Sequence, residues 1–259
     1  MAEIKILALG DVVGKAAVDY IRRRLPGFLN DKKIDFTVIN GENASDTNGL
    51  DLYGARELLQ SGADVITSGN HIWRRNEIRN FLDDSDRVIR PANYRSSLPG
   101  QGYTLRKSDG YIYLVMNVMG VSYMDPLDNP FMTVEKILER EKGSYDISIL
   151  DIHAEATGEK YALARYFDGK IDIMFGTHTH IPTADNRILP KGSGFVCDLG
   201  MCGAENGVLG MKSENVIEKL ITNIPQKFEV ADGKISCDGV IFTYDTAQKR
   251  VVDTERVKI

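Results

Sequence analysis

Ile171-Asp172-Ile173-Met174-Phe175-Gly176-Thr177-His178-Thr179-His180 is a short apolar run that stops abruptly at a pair of histidines. Residues Ile171–Gly176 have the length and apolarity of a buried strand, and the histidines fall where that strand gives way to a loop. The same arrangement occurs four times upstream. Ile4–Leu9 runs into Gly10-Asp11, Phe36–Asn40 into Gly41-Glu42-Asn43, Asp64–Thr67 into Gly69-Asn70-His71, and Ile147–Ile152 into His153. Between these runs, Ala16–Leu25, Leu52–Leu59, Trp73–Leu82, Phe131–Glu141 and Glu155–Phe167 carry helical spacing, and Pro26-Gly27 is expected to end the first of them. Such alternation predicts parallel strands with helices on the sheet faces, an α/β fold.

Two stretches depart from that rhythm. Tyr103–Lys107 and Tyr111–Val118 flank Ser108-Asp109-Gly110, which predicts a hairpin, and Lys227–Ile259 holds two more turn signals, Asp232-Gly233 and Thr246-Ala247-Gln248. A mixed sheet, or two packed sheets, is therefore expected. No repeat or linker divides residues 1–259, which are read as one domain. A chain of 259 residues can bury roughly three-quarters of its unfolded surface and needs neither disulfide nor metal merely to stay folded.

Composition narrows the function classes. The net charge of −5 argues against an extended nucleic-acid surface, which would carry a basic excess. Cys197, Cys202 and Cys237 are odd in number and lack C-x-x-C spacing, so neither a disulfide framework nor a thiolate zinc site is expected. The start of the chain carries Glu3 and Asp11 around a very short apolar stretch, unlike a signal peptide, and the run Tyr111–Met124 falls short of the ~20 residues that span a bilayer. A cytoplasmic protein with no membrane contact is expected.

Ligand sites in open α/β sheets collect beyond the carboxyl ends of the strands, because parallel strands deliver their loops to one edge. All four histidines of the chain, His71, His153, His178 and His180, lie in those loops. Residues two apart in extended chain point to the same side with ~6–7 Å between Cα atoms, so His178 and His180 suit two ions ~3.5–4 Å apart better than one. Asp11 and Glu42 can supply a terminal and a bridging ligand, and Asn43 and Asn70 add neutral oxygen donors. Two divalent cations less two carboxylates leave about +2, which a hydroxide and a singly charged phosphodiester would neutralise.

Gly10-Asp11, Gly41-Glu42-Asn43, Gly69-Asn70-His71, the isolated His153 and Gly176-Thr177-His178-Thr179-His180 together resemble the calcineurin-like metallophosphoesterases, in family order across residues 10–180. Gly10-Asp11-Val12-Val13-Gly14, Asn40-Gly41-Glu42-Asn43-Ala44 and Asp198-Leu199-Gly200-Met201-Cys202-Gly203 are most similar to the bacterial YmdB-like branch. The resemblance implies an α/β/β/α sandwich with mixed sheets and a di-iron phosphodiesterase acting on cyclic nucleotides, notably 2′,3′-cyclic monophosphates. It implies Asp11, Glu42, Asn43 and His180 on one metal, Glu42, Asn70, His153 and His178 on the other, and His71 as general acid. The sequence departs from the wider superfamily at Val13, where a histidine is usual, and at Glu42, where the bridging residue is usually Asp. Iron is what the closer branch suggests, while an all N/O donor set equally permits manganese or zinc.

The mechanism expected from this inventory is attack of a metal-bound hydroxide on phosphorus, with His71 protonating the departing sugar oxygen. Alternatives are a nucleotidase or nuclease acting on other phosphoesters, or a metal-bound regulatory protein with little turnover. A homo-oligomer is expected. Asp198–Gly203 is read as a glycine-rich loop bordering the pocket. Asp151 is weighed as a support for the site against a plain structural residue, and Arg74 and Arg75 as phosphate contacts against helix-surface charges. Trp73 and the cluster Met116, Met119 and Met124 read as packing.

Overall fold

The computed structural model of the protein describes residues 3–46 and 48–259. The chain runs β1 (Glu3–Leu9), β2 (Asp11–Val12), α1 (Gly14–Lys32), β3 (Phe36–Asn40), α2 (Leu52–Gln60) and β4 (Val65–Thr67). A 3-10 turn (Ile72–Arg74) leads to α3 (Ile78–Asp84), the hairpin β5 (Tyr103–Ser108) and β6 (Tyr111–Met119), and α4 (Pro130–Arg140). There follow β7 (Ile147–His153), α5 (Thr157–Phe167), β8 (Ile173–Thr177), β9 (Arg187–Ile188), β10 (Gly194–Val196) and β11 (Met201–Ala204). The chain closes with α6 (Ser213–Thr222), β12 (Ile235–Asp245) and β13 (Arg250–Lys258).

Among the described residues the strands form two mixed sheets, one of seven in the order β2-β11-β12-β1-β3-β4 with β13 on β12, the other of six in the order β5-β6-β7-β8-β10-β9. β1, β3 and β4 are parallel, as are β6, β7, β8 and β10. Side chains alternate between faces along each strand. In β1, Ile4, Ile6 and Ala8 enter the core between the sheets, while Leu7 and Leu9 face the layer holding α1 and α2. In β7, Ile147 and Ile149 enter the same inter-sheet core, while Leu150 and Ile152 join the cluster with α4 and α5. Three apolar clusters between four layers make an α/β/β/α sandwich.

The Asp109-Gly110 turn has φ of 46° and 87°, the left-handed pair of a type I′ turn that matches strand twist. The expected end of the first helix at Pro26-Gly27 is wrong: α1 continues to Lys32. Pro26 and Arg22, whose carbonyl it cannot bond, are both exposed, while Phe28 and Leu29 beyond it still pack on the core. The helix expected over Trp73–Leu82 is split, because Arg75 is extended and its guanidinium donates to Ser45 Oγ and the Asn48 carbonyl. Helix α6 went unanticipated; it has no buried residue to mark a core-facing stripe.

Close layer contact demands glycine at one decisive place. A Cβ on Gly176 would stand 1.8 Å from the Cys197 carbonyl oxygen and 2.7 Å from Lys160 Cδ. Gly176→Ala is expected to cost about 3 kcal/mol or more, since backbone cannot yield as a side chain can. That corresponds to a melting temperature lower by ~6–12 °C. A thermal melt unchanged within a degree would show that β8 and the 197 strand-end move apart freely.

Candidate metal centre

In β3, β7 and β8 the inter-sheet face is apolar until the carboxyl end and polar there. Phe36 and Val38 are followed on the same face by Asn40, Ile147 and Ile149 by Asp151 and His153, and Ile173 and Phe175 by Thr177. These polar ends meet. Asp151, fully buried, accepts hydrogen bonds from Asn40 Nδ2 (2.9 Å), Thr67 Oγ1 (2.5 Å) and Thr177 Oγ1 (2.7 Å). The Asn40 amide oxygen in turn accepts from the Glu42 N–H at 3.0 Å.

This floor fixes the state of the histidines above it. Thr177 spends its proton on Asp151, so its oxygen accepts from His153 Nδ1 at 2.9 Å, and Nε2 is the nitrogen whose lone pair becomes available once the second ring proton leaves. His180 Nδ1 donates to the Leu209 carbonyl at 3.0 Å, which again frees Nε2. His178 Nε2 lies 3.2 Å from a Glu155 carboxylate oxygen, so the lone pair is on Nδ1. His178 and His180 have φ of 100° and 63°, so this segment is left-handed and not the extended chain expected from the sequence, and the two histidines fall in separate donor groups.

The freed lone pairs crowd together. His153 Nε2 has Asn70 Oδ1 at 2.9 Å, His178 Nδ1 at 3.1 Å and Glu42 Oε2 at 3.2 Å. One ring nitrogen cannot satisfy three acceptors, but donors bound at ~2.0–2.2 Å from a small cation stand ~3 Å from one another. The other Glu42 oxygen, Oε1, lies 2.7 Å from Asn43 Nδ2, and Glu42 also belongs to a second group, in which donor atoms of Asp11, Glu42 and His180 fall within 4.8 Å of one another. Among the described residues Asp11 Oδ1 is buried with no hydrogen-bond partner, although Oδ2 accepts from the His178 N–H at 3.1 Å. A Cβ on Gly69 would sit 2.2 Å from His153 Nε2 and 2.4 Å from Glu42 Oε2, so glycine keeps this cradle open. An orphaned carboxylate oxygen, converging ring nitrogens and an all N/O donor set fit bound divalent cations, and Glu42 is common to both donor groups.

Asn43 is oriented with Nδ2 toward Glu42 and His180 (3.4 Å) and Oδ1 toward His71 Nδ1 (2.9 Å); half a turn of the amide exchanges them. His71 Nδ1 also lies 3.2 Å from Glu42 Oε1, and its Nε2 makes no hydrogen bond among the described residues. Burial alone would push the Glu42 carboxyl up, yet the charge and hydrogen bonds of His153 and His71 hold it well below the usual range. Burial likewise works to lower His153, but Glu42 and Asp11 raise it to about 9. Burial lifts Asp11 to about 6 against the pull of His180 and His153, and burial with the neighbouring His153 charge drops His178 to about 3.

The sign of the pH dependence follows. Below about 9 the metal-free centre keeps a proton on His153, and a cation must displace it. Metal affinity is therefore expected to rise about tenfold per pH unit between about 6, where Asp11 has ionised, and about 9, more steeply below 6, and then to level. Calorimetric titration at pH 7.5 in buffers of differing ionisation enthalpy should show about one proton released per centre filled; no release would contradict the Glu42–His153 pairing.

All eight side chains singled out from the sequence, Asp11, Glu42, Asn43, Asn70, His71, His153, His178 and His180, join one contact network. The sequence reading missed Asn40, Thr67, Thr177 and Glu155; continuing the period-two alternation of β3, β4 and β8 would have placed the first three on the face of Asp151. Of the stretch read as a loop bordering the pocket, Asp198–Leu199–Gly200 is a buried loop bonded to Thr179 and Asp11, while residues 201–204 form β11. Arg75 ties Ser45 to Asn48, and Arg74 is exposed. Trp73 packs edge-on against Tyr94 at 5.5 Å, and Met116 and Met119 are buried. The three cysteines are buried and free. No helix among the described residues is long and apolar enough to cross a membrane.

Comparison with known proteins agrees with this geometry. A family profile described as YmdB-like protein matches residues 7–257. The chain is 43% identical over 256 residues to the 2′,3′-cyclic-nucleotide 2′-phosphodiesterase of Bacillus subtilis, covering 99% of this chain and 97% of that one. A crystal structure of a novel phosphatase from Mycoplasma pneumoniae superposes with a TM-score of 0.93 at 34% identity, covering 100% of this chain and 94% of that one. A hypothetical protein from Thermus thermophilus gives 0.93 at 36% identity, covering 99% of each. With sequence and sandwich in accord over the whole length, the chain belongs to the YmdB-like family of metallophosphoesterases.

Proposed function

We propose that the protein is a dinuclear-metal phosphodiesterase that hydrolyses 2′,3′-cyclic nucleotide monophosphates. The observation that carries the reading is that Glu42 stands in both donor groups: its carboxylate lies with His153 and His178 in one and with Asp11 and His180 in the other, with Oε2 3.2 Å from His153 Nε2 and Oε1 2.7 Å from Asn43 Nδ2. Asp11, Glu42, Asn43 and His180 would hold one ion, and Glu42, Asn70, His153 and His178 the other. Iron is the proposed metal, and manganese or zinc would also suit nitrogen and oxygen donors. The pair supplies Lewis acidity and an activated water at neutral pH.

The protein's own groups do the rest. Buried Asn40, Thr67, Asp151 and Thr177 hold the donors so that they need not reorganise during reaction. His71, anchored through Nδ1 by Asn43 and Glu42, turns Nε2 outward, where it can give a proton to the departing O2′. Water adds to phosphorus, the P–O2′ bond breaks, and a 3′-phosphomonoester with a free 2′-hydroxyl remains. The named activity of the Bacillus subtilis relative supports this substrate and this bond.

Purified protein with its metal measured should be assayed on 2′,3′-cyclic AMP, 3′,5′-cyclic AMP and bis(p-nitrophenyl) phosphate. The expected result is preferential conversion of 2′,3′-cyclic AMP to 3′-AMP. Hydrolysis of phosphomonoesters alone would move the assignment to a nucleotidase, and metal binding without turnover of any ester would make it a regulatory protein.

A further inference from the structure

A buried ion pair lies directly beneath the turn that carries His178 and His180. Lys160, on α5, is fully buried, and its Nζ donates to Asp198 Oδ2 at 2.7 Å, with Asp198 itself almost fully buried. Two buried charges need further hydrogen bonds to offset their desolvation, and here those bonds lead into the site. The same Asp198 oxygen accepts from Thr179, the residue between the two histidines, through its N–H (3.2 Å) and its hydroxyl (2.8 Å). Asp198 Oδ1 accepts from the Gly200 N–H at 2.9 Å, and the Gly200 carbonyl accepts from the Asp11 N–H at 3.2 Å. The Asp198 backbone is tied to Thr183 through the Thr183 hydroxyl (2.9 Å) and to Arg256 Nη2 (3.0 Å).

From this we infer that Lys160 and Asp198 are positioning residues of the metal centre, holding the His178-Thr179-His180 turn and Asp11 in the geometry that lets them close on the metals. The reasoning is local. His178 and His180 occupy left-handed backbone that residues with a Cβ rarely adopt, and such a conformation persists only where its surroundings over-determine it. Thr179 is the handle, Asp198 accepts its N–H and hydroxyl, and Lys160 holds Asp198 in place through the 2.7 Å bond. The inference rests on the metal-centre reading above.

The test compares Lys160→Met, Asp198→Asn, the double variant and Thr179→Val, each as full-length protein stripped of metal. Affinity for Mn2+ alone and the melting temperature of the metal-free protein are the readouts. Each single variant at the ion pair should melt lower, because one buried charge is left unpaired. The double variant should recover most of that melting temperature yet bind Mn2+ roughly 10–100-fold more weakly, the usual effect of losing a support behind metal ligands. Thr179→Val, which leaves the ion pair intact, should melt like the parent and bind Mn2+ at least roughly 3-fold more weakly. A purely structural ion pair would instead restore Mn2+ affinity along with stability, and affinity within twofold of the parent in the double variant or in Thr179→Val overturns the inference. If the double variant does not fold, Thr179→Val decides alone. A parent that binds no Mn2+ would sink the metal-centre reading itself.

Discussion

Glu42→Gln is expected to empty both metal positions and lower kcat/KM by at least about a thousandfold. An amide of the same shape puts an NH2 where one of two bridging oxygens stands, so one side of the centre meets a donor hydrogen instead of a lone pair. A thousandfold is about 4 kcal/mol of lost transition-state stabilisation, within what metals contribute to phosphoester cleavage. Elemental analysis of the variant should find both ions depleted together, since Glu42 serves both. Melting curves separate this from unfolding. Saturating metal should raise the parent by ~5–10 °C, the equivalent of about 2.7 kcal/mol at a hundredfold excess over Kd, and should leave the variant where it was. Retention of two full equivalents of metal would show that Glu42 does not bridge.

His71→Ala is expected to retain both metals and lose about 100–10,000-fold in kcat on 2′,3′-cyclic AMP, the usual contribution of a general acid. The ring reaches the centre only through Asn43 and Glu42, so deleting it removes no donor atom. The loss should shrink greatly on bis(p-nitrophenyl) phosphate, because nitrophenolate departs without help whereas a sugar alkoxide does not. Equal losses on both esters would mean that His71 stabilises phosphoryl charge rather than protonating the leaving oxygen. Loss of metal would mean that it is a ligand.

Much of this was legible along the chain because strand periodicity is a local property. Five apolar runs ending in Asp, Glu, Asn or His imply that loops bearing metal-type donors meet at one edge, and the structure brings all eight named side chains there. The α1 boundary was not legible, since proline ends a helix only where the surroundings do not compensate, and the packing of Phe28 and Leu29 is tertiary. Lys160 was invisible for a related reason. On α5 it reads as one more helix-surface cation, and only the stacking of that helix over β8, where Gly176 leaves room for its stem, turns it inward to Asp198.

Residue order alone therefore settled the kind of atoms available and their convergence, because hydrophobic alternation commits each strand's faces before any packing occurs. Which nitrogen of each histidine carries the lone pair, which way each Glu42 oxygen points, and what braces the His178–His180 turn were settled by partners from distant segments. Asp151, Thr177, Leu209 and Asp198 act through hydrogen bonds whose range is about 3 Å, and contacts that short exist only once the two sheets have closed on each other.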